Sequence, residues 1–202
     1  MTLTWYGHSC FLLTSGEGSI VFDPYAPLSV PGWELPALRA DSVICSHGHR
    51  DHGWSAGVGL TGERFTGKIE QIPSFHDEKR GALRGENLIT LVEADSLRAV
   101  HMGDIGCALT AEQIAALGRV DVLMIPVGGH YTVDAAGAWE ITKALAPKIV
   151  IPMHYRGADF GYDVIGPVEP FLSLAGNVKK LDGMSYSVDL SDAPATVVFG
   201  RA

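Results

Sequence analysis

Residues 41–53 read Asp-Ser-Val-Ile-Cys-Ser-His-Gly-His-Arg-Asp-His-Gly, and this stretch decides how the rest of the chain is interpreted. The apolar run Val43–Cys45 predicts a short strand that leads into an H-x-H-x-D-H cluster at 47–52. Three imidazoles and one carboxylate within six residues form a ligand set that suits zinc, and also iron or manganese. Gly48 and Gly53 allow the tight backbone that a ligand loop needs. The stretch predicts a metal site at the end of a strand; a group of solvated surface histidines is the less favoured interpretation.

Further polar side chains come directly after apolar runs elsewhere in the chain. They are Asp23, His76, Asp104, His130 and His154. Binding sites in α/β proteins gather at strand ends, because the loops there vary on a rigid scaffold. We therefore expect several strands to deliver histidine or aspartate to one edge of the sheets, where these residues complete the metal site.

The apolar pattern predicts an α/β protein with many short strands and few helices. Runs closed by Gly, Asp, His or Pro predict strands at 2–6, 9–14, 18–23, 41–46, 67–74, 87–93, 96–102, 120–126, 148–153, 177–181, 184–190 and 196–200. A capping box at Thr110-x-x-Gln113 opens a helix that ends near Gly118. Two further helices are expected at 134–146 and within 167–175.

Composition excludes several classes of protein. The 202 residues are 47% hydrophobic and include 24 Gly and 11 Pro, which excludes disordered chains and coiled coils. Lys and Arg number 15 against 23 Asp and Glu, and this net charge of −8 argues against nucleic acid as a partner. No apolar run approaches the roughly 18–20 residues of a membrane span, so no membrane partner is expected. Without a linker or internal repeat, we expect one domain over residues 1–202 that acts on a small molecule, and a homo-oligomer stays open.

The beginning of the chain and its cysteines bear on the compartment. Residues 1–8 show neither a basic region nor a cleavage site, so no secretory signal is expected. Cys10, Cys45 and Cys107 are odd in number and lack C-x-x-C spacing, which is typical of reduced thiols. The expectation is a cytoplasmic protein.

The order of these motifs resembles that of the metallo-β-lactamase superfamily. The neighbouring phrases resemble its bacterial metal-dependent hydrolase branch, which includes relatives of ascorbate-phosphate lactonase. These phrases are Gly7-His8-Ser9, Phe22-Asp23-Pro24, Ser74–Glu78, His101–Asp104, Pro126–His130 and Ile151–Tyr155. The H-x-H-x-D-H element is the diagnostic one, whereas a lone Gly-Asp or Phe-Asp-Pro means little.

The resemblance implies a four-layer αβ/βα sandwich, with two mixed sheets flanked by helices and a dinuclear metal site at one edge. By that resemblance the first ion would be held by His47, His49 and His76, the second by Asp51, His52 and His154, with Asp104 bridging both. The cofactors would be two divalent ions, Zn²⁺ first, with Mn²⁺ or Fe²⁺ as alternatives.

The implied reaction is hydrolysis of an ester, lactone, amide or phosphoester of a small molecule by a metal-bridged hydroxide. Asp51 would act in catalysis as well as in metal binding, and His130 would protonate the leaving group. Tyr155, beside His154, is the second candidate for that proton.

Other polar residues receive more modest predictions. His8 and Asp23 are expected to hold metal ligands through hydrogen bonds, and Arg84 to face an anionic substrate or water. His101, inside an apolar strand, reads as a hydrogen-bonded core histidine, and Asp77 as a support for the His76 loop.

Two alternatives remain open. The first is an iron-dependent oxidoreductase or dioxygenase on the same fold, although the flavodiiron branch has Glu where this chain has His49. The second is a metal-binding sensor domain without turnover. Nuclease branches commonly carry an added domain, and true β-lactamases are exported, so neither activity is expected here.

Overall fold

The structure, a computed structural model, describes residues 1–201 and contains fourteen strands and three α-helices there. The strands are β1 (Thr2–Trp5), β2 (Phe11–Ser15), β3 (Gly18–Phe22), β4 (Leu38–Ala40), β5 (Ser42–Ile44), β6 (Val58–Leu60), β7 (Lys68–Phe75), β8 (Glu86–Ala94), β9 (Leu97–His101), β10 (Val122–Pro126), β11 (Ile149–Met153), β12 (Val178–Lys180), β13 (Ser185–Ser187) and β14 (Ala195–Val198). The helices are α1 (Ala111–Leu117), α2 (Ala135–Leu145) and α3 (Glu169–Ala175).

The strands form two main sheets. One has five strands in the order β13-β1-β2-β3-β5, and the other has seven in the order β12-β14-β11-β10-β9-β8-β7. Strands β4 and β6 form a separate parallel pair. Both main sheets are mixed and three α-helices accompany them, as the predicted α/β sandwich requires.

The two faces of β3 show where the core lies. Ile20 and Phe22 point to one face and join the main core, which includes the buried residues of the seven-stranded sheet. Val21 points to the other face and packs with Tyr25 and Val58, residues of the segment that covers the five-stranded sheet. This alternation follows from the two-residue period of a strand. The five-stranded sheet is therefore covered on its outer face by the segment that carries β4 and β6.

The helices begin where the sequence predicts. The Thr110 hydroxyl accepts the Gln113 N–H at 3.2 Å, and the Gln113 side chain accepts the Thr110 N–H at 2.9 Å, which completes the capping box of α1. The Asp134 carboxylate accepts the Gly137 N–H at 2.9 Å and caps α2. Helix α2 packs against α1, α3 and β10. None of the helices within residues 1–201 is long and apolar enough to cross a membrane.

Strand direction brings the carboxyl ends of many strands to one edge. Strands β9, β10 and β11 are parallel neighbours, and β7 runs the same way because β7 and β9 both pair antiparallel with β8. In the other sheet β3 is parallel to β5, and β1 runs with them because both β1 and β3 are antiparallel to β2. The loops that follow these strands carry the predicted site residues.

The differences from the predicted elements are local. Strands β4 and β6 were not predicted, because three residues such as Val58–Leu60 are too few to show a period. Strand β2 begins at Phe11 rather than at residue 9, because the Cys10 N–H donates to the Gly7 carbonyl at 2.9 Å and closes a turn.

Candidate metal centre

The predicted ligands form two adjoining clusters at this edge. His47, His49 and His76 each offer one ligand atom, and these atoms all lie within 4.8 Å of one another. His47 is half-buried and His49 is exposed, so this cluster opens to solvent. Its members come from the loop after β5 and from the end of β7, as expected for the predicted first ion.

The second cluster is more deeply buried and contains one unexpected member. Asp51, His52 and His154 offer ligand atoms within 4.8 Å of one another, and His8 belongs to the same group. His52 and His154 are 0% exposed. The three residues predicted for the second ion therefore lie together, and His8 lies among them rather than behind them.

Asp104 lies between the clusters. Its Oδ2 is 3.1 Å from His52 Nε2, 3.2 Å from His154 Nε2 and 3.3 Å from His76 Nε2. Members of both predicted ligand sets thus converge on one carboxylate oxygen, the position that a bridging ligand requires.

Charge interactions within the clusters set the ionisation of their members. Burial alone raises the pKa of Asp104, but His154 and His52 outweigh it and hold that pKa well below its usual value. Burial raises the pKa of Asp51 as well, yet contact with His8 and the charge of His52 lower it. Both carboxyls are therefore ionised, as metal ligands must be.

The pKa values of His47 and His52 are shifted in opposite directions. Burial, together with His52, lowers the pKa of His47 to about 4 and favours the neutral imidazole that a metal binds. Burial also lowers the pKa of His52, but Asp104 and Asp23 outweigh it and raise that pKa well above the usual value. The site concentrates negative charge around His52.

A set of hydrogen bonds fixes the ligands. The Asp23 carboxylate lies 2.8 Å from His52 Nδ1 and accepts the Ser46 N–H at 2.6 Å, and the Ser46 hydroxyl lies 2.9 Å from His47 Nδ1. The Asn87 side chain accepts the Asp104 N–H at 2.9 Å. Such partners fix the tautomer and orientation of ligating imidazoles, which is the role expected of Asp23.

The residues present fit a metal centre. Imidazole nitrogens and carboxylate oxygens are the donors that zinc, iron and manganese take. His47 Nε2 and Asp104 Oδ1 are buried without a hydrogen-bond partner among residues 1–201. A buried polar atom without a partner costs about 1–3 kcal/mol, so an ion that these atoms share would stabilise the arrangement.

Comparison with known proteins identifies the family. A family profile described as Beta-lactamase superfamily domain matches residues 2–154. A UPF0173 metal-dependent hydrolase of Methanoregula boonei is 31% identical over 77% of this chain and 82% of its own length. The chain belongs to the metallo-β-lactamase superfamily.

Other similar proteins support this family assignment. A UPF0173 metal-dependent hydrolase of Thermoplasma acidophilum is 28% identical over 88% of this chain and 92% of its own length. A solved structure from Thermotoga maritima, assigned to the metallo-β-lactamase superfamily, matches with a TM-score of 0.79 and 28% identity over 99% of both chains. Isothiocyanate hydrolase from Delia radicum gut bacteria matches at a TM-score of 0.61 over 87% of this chain and 91% of its own, but at 14% identity that likeness concerns the fold alone. The curated homologues are named metal-dependent hydrolases, which supports an enzyme.

Two cavities reach the solvent-facing cluster of this superfamily member. One, of about 370 Å³, is lined by His76, His130, Tyr131 and Arg84 among others. The other, of about 430 Å³, is lined by His47, His49 and Arg84. The predicted proton donor His130 therefore shares a cavity with a predicted metal ligand, and Arg84 borders both cavities.

The position of Arg84 depends on a buried carboxylate. Asp77 accepts backbone N–H groups from Lys79, Gly81, Leu83 and Arg84, at distances of 2.7–3.0 Å. The prediction that Asp77 supports the loop after His76 is confirmed by these bonds. The Arg84 guanidinium lies 5.7 Å from the centroid of the Tyr131 ring, and no carboxylate of residues 1–201 forms a salt bridge with it. Its charge is available to an anionic group in either cavity.

Tyr155 lies away from both clusters, and this corrects the prediction that it is the second candidate for protonating the leaving group. Its ring stacks on Trp5 with 5.6 Å between centroids, meets Phe160 at 5.9 Å and lines a third cavity that none of the metal-cluster residues touches. Burial raises the pKa of the Tyr155 hydroxyl. Neighbouring residues at the end of β11 point in different directions, so His154 joins the cluster while Tyr155 joins an aromatic core.

Two polar residues at the site were not predicted. The Tyr162 hydroxyl donates to Asp51 Oδ2 at 3.1 Å, and its ring meets His8 edge to face at 5.6 Å. Asn87 bonds the backbone of both Met102 and Asp104. Neither residue belongs to a local motif, so the sequence carries no signal for either.

His101 behaves as a core histidine, as predicted. Its Nε2 lies 2.9 Å from the Ser9 carbonyl, and its Nδ1 accepts the Gly103 N–H at 3.2 Å. The ring stacks on Phe22 with 5.1 Å between centroids. Both nitrogens are occupied, so His101 has none left for a metal.

Four of the ten non-glycine residues with positive φ among residues 1–201 lie at the same edge. His8, Asp23, His130 and His154 all have positive φ, between 43° and 60°. Residues other than glycine rarely adopt this left-handed conformation, and strained residues cluster at functional sites. The strain turns the chain sharply after each strand and aims these side chains at the clusters or the adjacent cavity.

Proposed function

We propose that this superfamily member is a hydrolase that holds two divalent metal ions, with Zn²⁺ the first choice, and cleaves an ester, lactone, amide or phosphoester of a small molecule. The observation that carries the proposal is the convergence of three imidazoles on Asp104 Oδ2, from both predicted ligand sets. The metal-dependent hydrolase names of the curated relatives support it.

The proposed ligands keep the assignment made from the sequence. His47, His49 and His76 would hold one ion, Asp51, His52 and His154 would hold the other, and Asp104 would contribute to both. When bound, such ions lower the pKa of a water molecule from 15.7 to about 7 and polarise the oxygen of the substrate.

The chain's own residues supply the other parts of the reaction. Asp51, oriented by the Tyr162 hydroxyl, keeps an ionised carboxylate beside the reacting atoms. His130 protonates the leaving group from the cavity that it shares with His76, and Arg84 attracts a negatively charged substrate group there. The exposed side of the cluster, at His49, is the side from which the substrate enters.

The first experiment is metal content per chain by mass spectrometry, on protein purified without chelators or a histidine tag. We expect about two equivalents of zinc or manganese, and hydrolysis of at least one substrate class in a panel of neutral and anionic esters, lactones, amides and phosphoesters.

Other outcomes favour other functions. About one equivalent of iron, with oxygen uptake, would favour the dioxygenase. Full metal loading without turnover on the whole panel would favour a sensor. A protein that holds no metal and takes up none would overturn the ligand assignment itself.

A further inference from the structure

His8 is a buried histidine at the edge that carries the metal clusters. The two predicted ligand sets do not include it. The residue is 1% exposed, and neither ring nitrogen has a hydrogen-bond partner among residues 1–201. Its Nε2 lies 3.5 Å from Asp51 Oδ2, and its ring centroid is 3.9 Å from that of His154. The free Nε2 therefore lies beside the carboxylate of the second cluster.

A comparison with His101 shows why this matters. His101 is equally buried, at 1% exposed, but each of its nitrogens has a backbone partner. A histidine that serves packing in this core is therefore hydrogen-bonded, as buried polar groups almost always are. His8 departs from that pattern at the point where ligand-type atoms gather.

The hairpin turn between β1 and β2 holds His8 in this position. The turn residue Gly7 has a φ of +94°, and a Cβ there would lie 2.3 Å from the Trp33 ring. His8 itself has a φ of +53°, and its carbonyl accepts the Trp5 indole N–H at 3.0 Å and the His154 N–H at 3.3 Å. These backbone bonds tie the turn to the residue that follows β11, so the ring is carried into the cluster by a rigid element.

We propose that His8 is a metal ligand, the fifth protein ligand of the ion held by Asp51, His52, His154 and the shared Asp104. The inference rests on the proposed function, since it assigns a further residue to one of the two ions. The second ion then has three imidazoles and one carboxylate of its own, besides the shared Asp104.

This donor set bears on the choice of metal. Imidazole suits zinc and iron, whereas carboxylate and water suit manganese. A third imidazole therefore favours Zn²⁺ over Mn²⁺ at the second ion, and its removal should shift the preference toward Mn²⁺.

The test compares His8→Asn with His130→Asn, two variants matched in residue type and backbone. Both histidines have positive φ, 53° and 60°, and asparagine tolerates that conformation better than most residues. His130 is exposed and belongs to none of the ligand groups. Wild type and both variants are titrated with Zn²⁺ and with Mn²⁺ by calorimetry. In the Co²⁺-substituted proteins, hyperfine-shifted imidazole N–H protons are counted by NMR.

In His8→Asn we expect the second Zn²⁺ to bind more than about 100-fold more weakly, beyond the loss of about 10–100-fold that follows removal of a hydrogen-bonding partner of a ligand. The loss for Mn²⁺ should be smaller, and one hyperfine-shifted N–H signal should disappear. In His130→Asn we expect no change in any of these readouts. Should His8→Asn fail to fold by circular dichroism, His8→Gly replaces it, because glycine accepts the same backbone without strain.

Two negative outcomes are distinguishable. The first is a wild type that takes up two ions while the His8 variant binds the second ion with the same affinity and shows the same number of hyperfine-shifted signals. That result overturns the role of His8 alone. A wild type that takes up fewer than two ions overturns the proposed dinuclear site and the role of His8 with it.

Discussion

Two buried aspartates lie at opposite edges of the same sheet and have very different surroundings. Asp104 follows β9, and its neighbours are the buried imidazoles of His52, His76 and His154. Asp121 precedes β10, and it pairs with Lys148 at 3.0 Å and Arg119 at 3.1 Å, whose side chains are 42% and 60% exposed. The two carboxylates are 2% and 0% exposed, so burial does not distinguish them.

The partners decide what each carboxylate does. At the Asp121 edge, long cationic side chains keep their charged ends in water, and Asp121 also accepts the Arg98 N–H at 3.0 Å. These bonds tie together the beginnings of β9, β10 and β11 and serve the fold. At the Asp104 edge, the partners are short, buried and able to bind a metal while neutral. The comparison teaches that a buried carboxylate among imidazoles points to chemistry, and one among lysine and arginine to stability.

The largest effect is expected from Asp104→Asn. Loss of the shared carboxylate removes a ligand from both proposed ions, so metal content falls and kcat/KM drops by about 10³-fold or more, equivalent to several kcal/mol. Metal analysis and steady-state kinetics on a substrate from the panel measure both. If Asp104→Asn retained two ions and normal turnover, Asp104 would have no special role in metal binding, and the contrast with Asp121 would be lost.

The next effect is expected from His130→Asn, which tests whether the Asp104 edge also moves protons. The variant keeps both proposed ions but loses the proton donor, so kcat falls by about 10²–10⁴-fold. The loss should shrink for substrates with a leaving group that needs no proton, which a merely structural role would not produce. Unchanged turnover would remove His130 from the mechanism.

The smallest effect is expected from Asp121→Asn, which tests the structural edge. The amide can still accept the Arg98 N–H but loses both ion pairs, so the free energy of unfolding falls by about 1–3 kcal/mol. Urea denaturation of the metal-free protein measures this loss. Metal content and kcat should stay at wild-type values, and a loss of either would connect Asp121 to the site.

The sequence separated these two aspartates by position but could not show their partners. Asp104 follows an apolar run, whereas Asp121 lies within the predicted strand 120–126, and the resemblance to a known family also favoured the first. Tyr155 shows the same difficulty in reverse, because its place beside His154 suggested a role at the site that the structure does not give it.

The sequence by itself determined twelve of the fourteen strands of residues 1–201, the three helices and the chemistry of the ligand cluster, and it missed only the short strands β4 and β6. These features depend on local patterns, such as the two-residue period of β3 and the six-residue run 47–52. The single domain over residues 1–202 and the cytoplasmic location stay predictions.

Only the tertiary structure decided which residues share the centre. His8 enters it because the turn before β2 has a left-handed backbone and bonds to the residue after β11, 146 positions along the chain from His8 to His154. Tyr162 reaches Asp51 across 111 positions in the same way. Side-chain direction at a strand end depends on contacts with such remote segments, and no local pattern records them.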